Sequence, residues 1–185
     1  LRNTNGELND WRDTGLEVPI QGMGLAWGDL NLDGLIDFGI TGWDELAILL
    51  NDGQQWYDAA FSIGARVDSL RLVGWGIEFA DMNNDGLEDI LVANGPDYSI
   101  DGELGVGPIE NAAEQFFSLY LNNGSSVELQ RNEQWDFGLP RVYRGFALVD
   151  WNRDGFLDVL ARDLSGPPVA YLSQCGSGRA LEVSL

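Results

Sequence analysis

Oxygen-bearing side chains recur at alternate positions in three segments of this 185-residue chain, each reading Asp-x-Asn-x-Asp-Gly-x-x-Asp: residues 29–37, 81–89 and 150–158. Side chains at positions one, three and five of such a loop converge, the glycine at six permits a sharp turn, and a carbonyl at seven and a carboxylate at nine can complete an oxygen shell. The candidate ligands are Asp29, Asn31, Asp33 and Asp37; Asp81, Asn83, Asp85 and Asp89; and Asp150, Asn152, Asp154 and Asp158, with the carbonyls of Leu35, Leu87 and Phe156. Three carboxylates and an amide make a hard donor set, suited to Ca2+ and poorly suited to zinc or copper. One Ca2+ ion per loop, three in all, is the expectation.

An EF-hand would carry Glu at position twelve, but Ile40, Val92 and Ala161 stand there, and strand-like residues flank the loops. The metal-free alternative, Asx-turns alone, accounts for many isolated Asp-Gly sites but not for a threefold recurrence with full spacing.

The elements that hold these loops repeat with them. Five positions before each loop stand Gly24, Gly76 and Gly145, followed by Leu25-Ala26-Trp27, Ile77-Glu78-Phe79 and Phe146-Ala147-Leu148; after each come Phe38-Gly39-Ile40, Ile90-Leu91-Val92 and Val159-Leu160-Ala161. Short apolar runs bounded by Gly and Asp read as strands, so each loop is the turn of a β-hairpin. A third strand is expected over residues 46–50, 118–121 and 169–172, before Asn51-Asp52-Gly53, Asn122-Asn123-Gly124 and Ser173. Weaker fourth strands are expected near Trp56-Tyr57, Glu128-Leu129 and, for an earlier unit, Trp11.

Four antiparallel strands per repeat describe a propeller blade, and loop starts at 29, 81 and 150 give a period near that of blades once an insertion is allowed. The fold class is therefore all-β, about three blades of a propeller whose closure takes about four to eight. The units run over residues 24–75, 76–144 and 145–185. Residues 1–23 are read as the end of a truncated preceding blade. The start without Met suggests a processed chain or an excised fragment of a longer one.

Composition narrows the functional classes. Thirty acids against 10 bases give a formal charge of −20, which repels nucleic acid phosphates and anionic membrane surfaces and favours cations or basic partners. Histidine is absent, which removes the commonest general base and the Ser-His-Asp arrangement. The single cysteine, Cys175, permits no internal disulfide and no Cys-rich zinc site. No apolar run reaches the ~18 residues of a membrane helix, and the opening residues do not resemble a signal peptide. Paired carboxylates could still act on glycosides, but the most ordered ones are committed to the turns.

The strings Gly76-Ile77-Glu78-Phe79-Ala80-Asp81-Met82-Asn83-Asn84-Asp85-Gly86 and Gly145-Phe146-Ala147-Leu148-Val149-Asp150 resemble FG-GAP (VCBS-type) repeats of integrin-like propellers. Gly22-Met23-Gly24-Leu25-Ala26-Trp27-Gly28-Asp29 and Asp163-Leu164-Ser165-Gly166-Pro167-Pro168 are similar to the subfamily that ends in an ASPIC/UnbV module, the cartilage acidic protein-like group. On that resemblance, residues 180–185 would be the first strand of the terminal module. The resemblance implies a seven-bladed, calcium-binding propeller, secreted or surface-exposed, used in adhesion or protein interaction. With histidine absent and the ordered carboxylates committed to turns, the expectation is a non-enzymatic propeller fragment, extracellular, on the cell surface or periplasmic, that presents loops to protein or glycan partners, with the remaining blades in the same polypeptide. The alternative is a non-catalytic or carbohydrate-recognition part of a larger secreted enzyme. Asn in place of the middle Asp lowers the charge of each loop while keeping an oxygen there.

The middle unit is extended between its second and third strands, near residues 95–115, at the end opposite the acidic turns. Long loops on rigid scaffolds often carry contacts, which makes Tyr98, Ile100, Glu103, Leu104 and Glu110 partner-binding candidates; a neutral surface extension is the alternative. Within the extension, Asp97-x-Ser99-x-Asp101-Gly102 starts like a fourth loop but has Gly105 at the closing position. Gly102, Gly105 and Gly107 lack the strand and helix a nucleotide fingerprint needs. Among the seven tryptophans, Trp27 shares its position with Phe79 and Leu148 and is expected to pack between blades, while Trp43, Trp56 and Trp135 are less constrained. The sequon Asn123-Gly124-Ser125 is explained by its hairpin turn alone.

Overall fold

The computed structural model describes residues 2–9, 16, 18–66, 72–95, 115–130, 137–138, 140–164 and 166–173. They form thirteen strands and no helix. A short hairpin, β1 (Arg2–Thr4) and β2 (Glu7–Asn9), precedes a four-stranded sheet of β3 (Gly24–Gly28), β4 (Asp37–Thr41), β5 (Leu46–Asn51) and β6 (Trp56–Asp58). A second sheet of four follows: β7 (Gly74–Ala80), β8 (Asp89–Asn94), β9 (Ser118–Asn122) and β10 (Val127–Leu129). The third contains β11 (Tyr143–Val149), β12 (Asp158–Asp163) and β13 (Val169–Tyr171). Each sheet is an antiparallel meander in chain order, the connectivity of a propeller blade; together they do not close a ring.

The repeated glycines explain how the sheets come together. The first strands of successive sheets lie side by side. A Cβ on Gly24 would stand 2.8 Å from the Trp75 carbonyl oxygen, and one on Gly76 would stand 3.3 Å from the Cα of Gly145. Gly24, Gly76 and Gly145 therefore mark the closest approach of β3, β7 and β11.

Strand alternation sorts each sheet into two faces. Ile77 and Phe79 point toward the first sheet, where a Cβ on Gly39 would meet their side chains at 2.7 and 2.8 Å. They join Ala26, Ile48, Leu50, Ile90, Val92 and Tyr120 in one core between the first and second sheets. A second core, between the second and third sheets, contains Leu91, Phe117, Leu119, Tyr143 and Val159, flanked by Phe137, Phe146 and Tyr171.

Trp27 departs from expectation. It occupies the position of Phe79, but on the first sheet that face points away from the second sheet, so Trp27 is 69% and Leu25 65% exposed, against 8% and 3% for Phe79 and Ile77. Asn5 and Gly6, both at positive φ, turn the chain directly from β1 into β2, while Trp11, near which an early fourth strand is expected, lies outside the described residues.

Candidate metal centre

Each acidic segment connects the first strand of a sheet to the second, and the three fold alike. In the first, Asp29 Oδ1 accepts the Asp33 N–H at 3.0 Å and Oδ2 accepts the Gly34 N–H at 2.9 Å. Asn31 Oδ1 accepts the same Asp33 N–H at 3.1 Å, its Nδ2 donates to Asp33 Oδ2 at 2.9 Å, and Asp33 Oδ1 accepts from Leu35 N at 2.8 Å. The same five bonds recur through Asp81, Asn83, Asp85, Gly86 and Leu87, and through Asp150, Asn152, Asp154, Gly155 and Phe156, all between 2.8 and 3.1 Å.

Backbone conformation repeats as well. Gly34, Gly86 and Gly155 have φ of 85°, 93° and 90°, and the position-four residues Leu32, Asn84 and Arg153 have φ of 57°, 56° and 61°. A left-handed Leu is costly, so a geometry common to three different side chains at position four is imposed by the loop rather than chosen by the residue.

The carboxylate at position nine has a separate place. Asp37, Asp89 and Asp158 are 0% exposed. One oxygen of each accepts the position-two N–H, from Leu30, Met82 or Trp151 at 3.0, 3.0 and 2.9 Å. The other accepts, at 2.8 Å in each case, an N–H at or just beyond the third strand, from Asn51, Asn122 or Ser173. These aspartates clamp the loop to the sheet. Burial pushes the Asp89 carboxyl up to about 6, against the pull of its two N–H donors, and burial raises Asp37 in the same way.

Asp29, Asn31 and Asp33 and their counterparts are thus brought together at the mouth of each loop, while position nine lies beneath. Among the described residues, no three acidic side chains are gathered closely enough to hold an ion as they stand. The donor chemistry nonetheless fits a hard cation. Each carboxylate oxygen retains acceptor capacity beyond the N–H it binds, and every side chain in the five-bond set is an oxygen donor. The Arg66–Asp58 and Arg141–Asp163 ion pairs lie outside the loops.

Adjacent loops touch. Glu88, at position eight of the second loop, accepts the Asp29 N–H of the first through Oε2 at 2.9 Å. Asn122 Nδ2 donates to the Leu30 carbonyl at 2.8 Å and to the Glu88 carbonyl at 3.0 Å. Asn84 Nδ2 reaches the Gly155 carbonyl of the third loop at 2.8 Å. Glu88 is also held above the usual carboxylate range, first by burial and then by the charges of Asp29 and Asp37.

Neither Glu88 nor Asn122 stands out in the ligand pattern. The available signals were an acid at position eight where the other loops have Ile36 and Leu157, and an Asn repeated at residues 51 and 122 after the third strand. Tyr98, Ile100, Glu103, Leu104 and Glu110 lie outside the described residues, as does Trp135. Trp43 and Trp56 are half-buried, and Trp56 Nε1 donates to the Ile36 carbonyl at 2.9 Å.

Fold and loops together define a class: blade-type antiparallel sheets with an acidic turn between the first two strands of each. Residues 29–92, from the first loop through most of the second blade's β8, match a family model described as FG-GAP-like repeat. A search of the curated proteins returned no match.

Proposed function

We propose that this chain is a calcium-stabilised stretch of an integrin-like propeller that serves adhesion or protein or glycan recognition in an extracellular, cell-surface or periplasmic setting. The observation that carries the reading is the identical hydrogen-bonded build of three acidic loops, one of them at the start of the segment that matches an FG-GAP-like repeat. Asp29, Asn31 and Asp33, with Asp37 below and the Leu35 carbonyl beside them, would hold one ion; Asp81, Asn83, Asp85, Leu87 and Asp89 a second; Asp150, Asn152, Asp154, Phe156 and Asp158 a third. Bound Ca2+ supplies the positive charge that offsets a formal charge of −20. The loops pre-order their oxygens through backbone N–H groups and fix the hairpin turns on which the sheets depend.

The blades extend over residues 24–75, 76–144 and 145–185, with β1 and β2 as the outer strands of an earlier blade. The exposed face of Leu25 and Trp27 supports this reading, because the same positions on the second sheet are covered by a neighbouring blade. The Asp163-to-Pro168 string supports a reading near the ASPIC/UnbV-associated group. The extension near residues 95–115, with Tyr98, Ile100, Glu103, Leu104 and Glu110, is the proposed contact surface, and the role is non-catalytic.

Thermal melting in Ca2+ and in chelator tests the metal reading. Millimolar-class sites at one to ten times their dissociation constant give about 0.4 to 1.4 kcal/mol each, so Ca2+ should raise the melting temperature and Asp85→Ala or Asp154→Ala should reduce the rise. Identical melting in Ca2+ and chelator, unchanged in both variants, would count against it.

A further inference from the structure

The three loops are alike within themselves but differ in what reaches them from the next blade. At position eight, Leu157, like Ala80, packs against the core between the second and third sheets, while Ile36 is 42% exposed. At the remaining boundary the slot holds Glu88. The residue it meets is Gly28, immediately before the first loop, where the equivalent positions are Ala80 and Val149. A Cβ on Gly28 would overlap the Glu88 carboxylate, so the glycine is what admits the acid.

We propose that Glu88, although encoded in the second loop, belongs to the cation machinery of the first, as a positioning residue that adds a fourth carboxylate beside Asp29 and raises the Ca2+ affinity of that loop above that of the third. This rests on the calcium reading above. Two effects act together. The Oε2 atom fixes the backbone of Asp29, the first ligand position, through its N–H at 2.9 Å. The negative charge also sits at the edge of the first loop, in a half-buried place where screening is weaker than in bulk water. Asn122 holds the arrangement by binding the Leu30 and Glu88 carbonyls with one amide nitrogen, at 2.8 and 3.0 Å. The second and third loops have a neutral link instead, from Asn84 to the Gly155 carbonyl. Occupancy of the first loop is therefore tied to the docking of the second blade in a way that the second loop is not tied to the third.

The test is a Ca2+ titration of the 15N-labelled chain, followed at the amides of Gly34, Gly86 and Gly155, each of which donates to a position-one aspartate. Glu88→Gln keeps the shape and an acceptor for the Asp29 N–H but removes the charge; Glu88→Leu copies the third loop. Both should weaken binding reported by Gly34 about three- to tenfold, the scale of one nearby charge acting on a divalent ion through partly hydrated surroundings. Gly86 and Gly155 should stay within about twofold, since the Glu88 carboxylate is turned to the Asp29 N–H of the first loop rather than to the ligands of its own, and the third loop is farther off. A purely structural role would lower the melting temperature in chelator and leave the ratio of loop affinities unchanged, which overturns the proposal. A loss at Gly86 as large as that at Gly34 also overturns it. If the unmutated chain shows no Ca2+-dependent shift at any of the three amides, the calcium reading fails and the proposal with it; normal binding with no effect of Glu88→Gln defeats the proposal alone.

Discussion

The two boundaries between successive sheets are built from the same backbone unit and held by different physics. Between the first and second sheets the core is mostly aliphatic, Gly39 is the floor on which Ile77 and Phe79 rest, and polar links run from Glu88 and Asn122 into the first loop. Between the second and third, aromatic rings dominate. Phe117 lies 4.5 Å from Tyr143, 5.0 Å from Phe137 and 5.3 Å from Phe146 between ring centroids, and the Tyr143 and Tyr171 hydroxyls hydrogen-bond to each other. A repeat fixes where side chains point; which of them occupy the junctions decides whether the cores are aliphatic or aromatic and whether the loops are linked by a carboxylate, as at Glu88, or by a neutral amide, as at Asn84.

Substitutions at the two junctions should separate these modes. The largest effect is expected at the aromatic boundary: Phe117→Ala removes a ring that is 5% exposed and in contact with several others, and should cost about 3–5 kcal/mol in chemical denaturation. At the other boundary, Gly39→Val forces Ile77 and Phe79 to move and should cost about 1–3 kcal/mol, with or without Ca2+. Asn122→Ala leaves the Leu30 and Glu88 carbonyls without that donor and should cost about 1–3 kcal/mol. The matching Asn51→Ala breaks an exposed bond of 3.3 Å to the Ile36 carbonyl and an exposed turn bond of 2.9 Å from the Gly53 N–H, the counterpart of the Gly124 bond that Asn122→Ala also loses, and should stay within about 1 kcal/mol. Equal costs for Asn122→Ala and Asn51→Ala would erase the distinction between a residue that joins two blades and one that serves only its own.

The parts legible in the sequence were those the repeat states three times. Apolar runs flanking each Asp-x-Asn-x-Asp-Gly string became β3 and β4, β7 and β8, and β11 and β12, and Asn-Gly or Asp-Gly turns marked where β5 and β9 end. The internal order of each loop also follows from its spacing, because Asx side chains bind N–H groups a few residues ahead. What local pattern could not supply was partnership across a boundary. Glu88 and Asp29 are 59 positions apart and Asn122 and Leu30 are 92 apart, and no periodic feature joins them. Trp27 shows a related limit: its shared position with Phe79 predicts a shared direction, which holds, but not a shared neighbour, and among the described residues none covers it. Spacing is also blind to depth: it marks the aspartates at position nine as candidate ligands but not as buried groups that each bind an N–H at or just past the third strand.

Anomalous diffraction from crystals grown in saturating Ca2+ addresses the central claim most directly. The account predicts a density peak in each of the three loops, about 2.3–2.6 Å from the side-chain oxygens of positions one, three and five. Three empty loops in such crystals, with the oxygens still bonded only to backbone and Asn N–H groups, would contradict it.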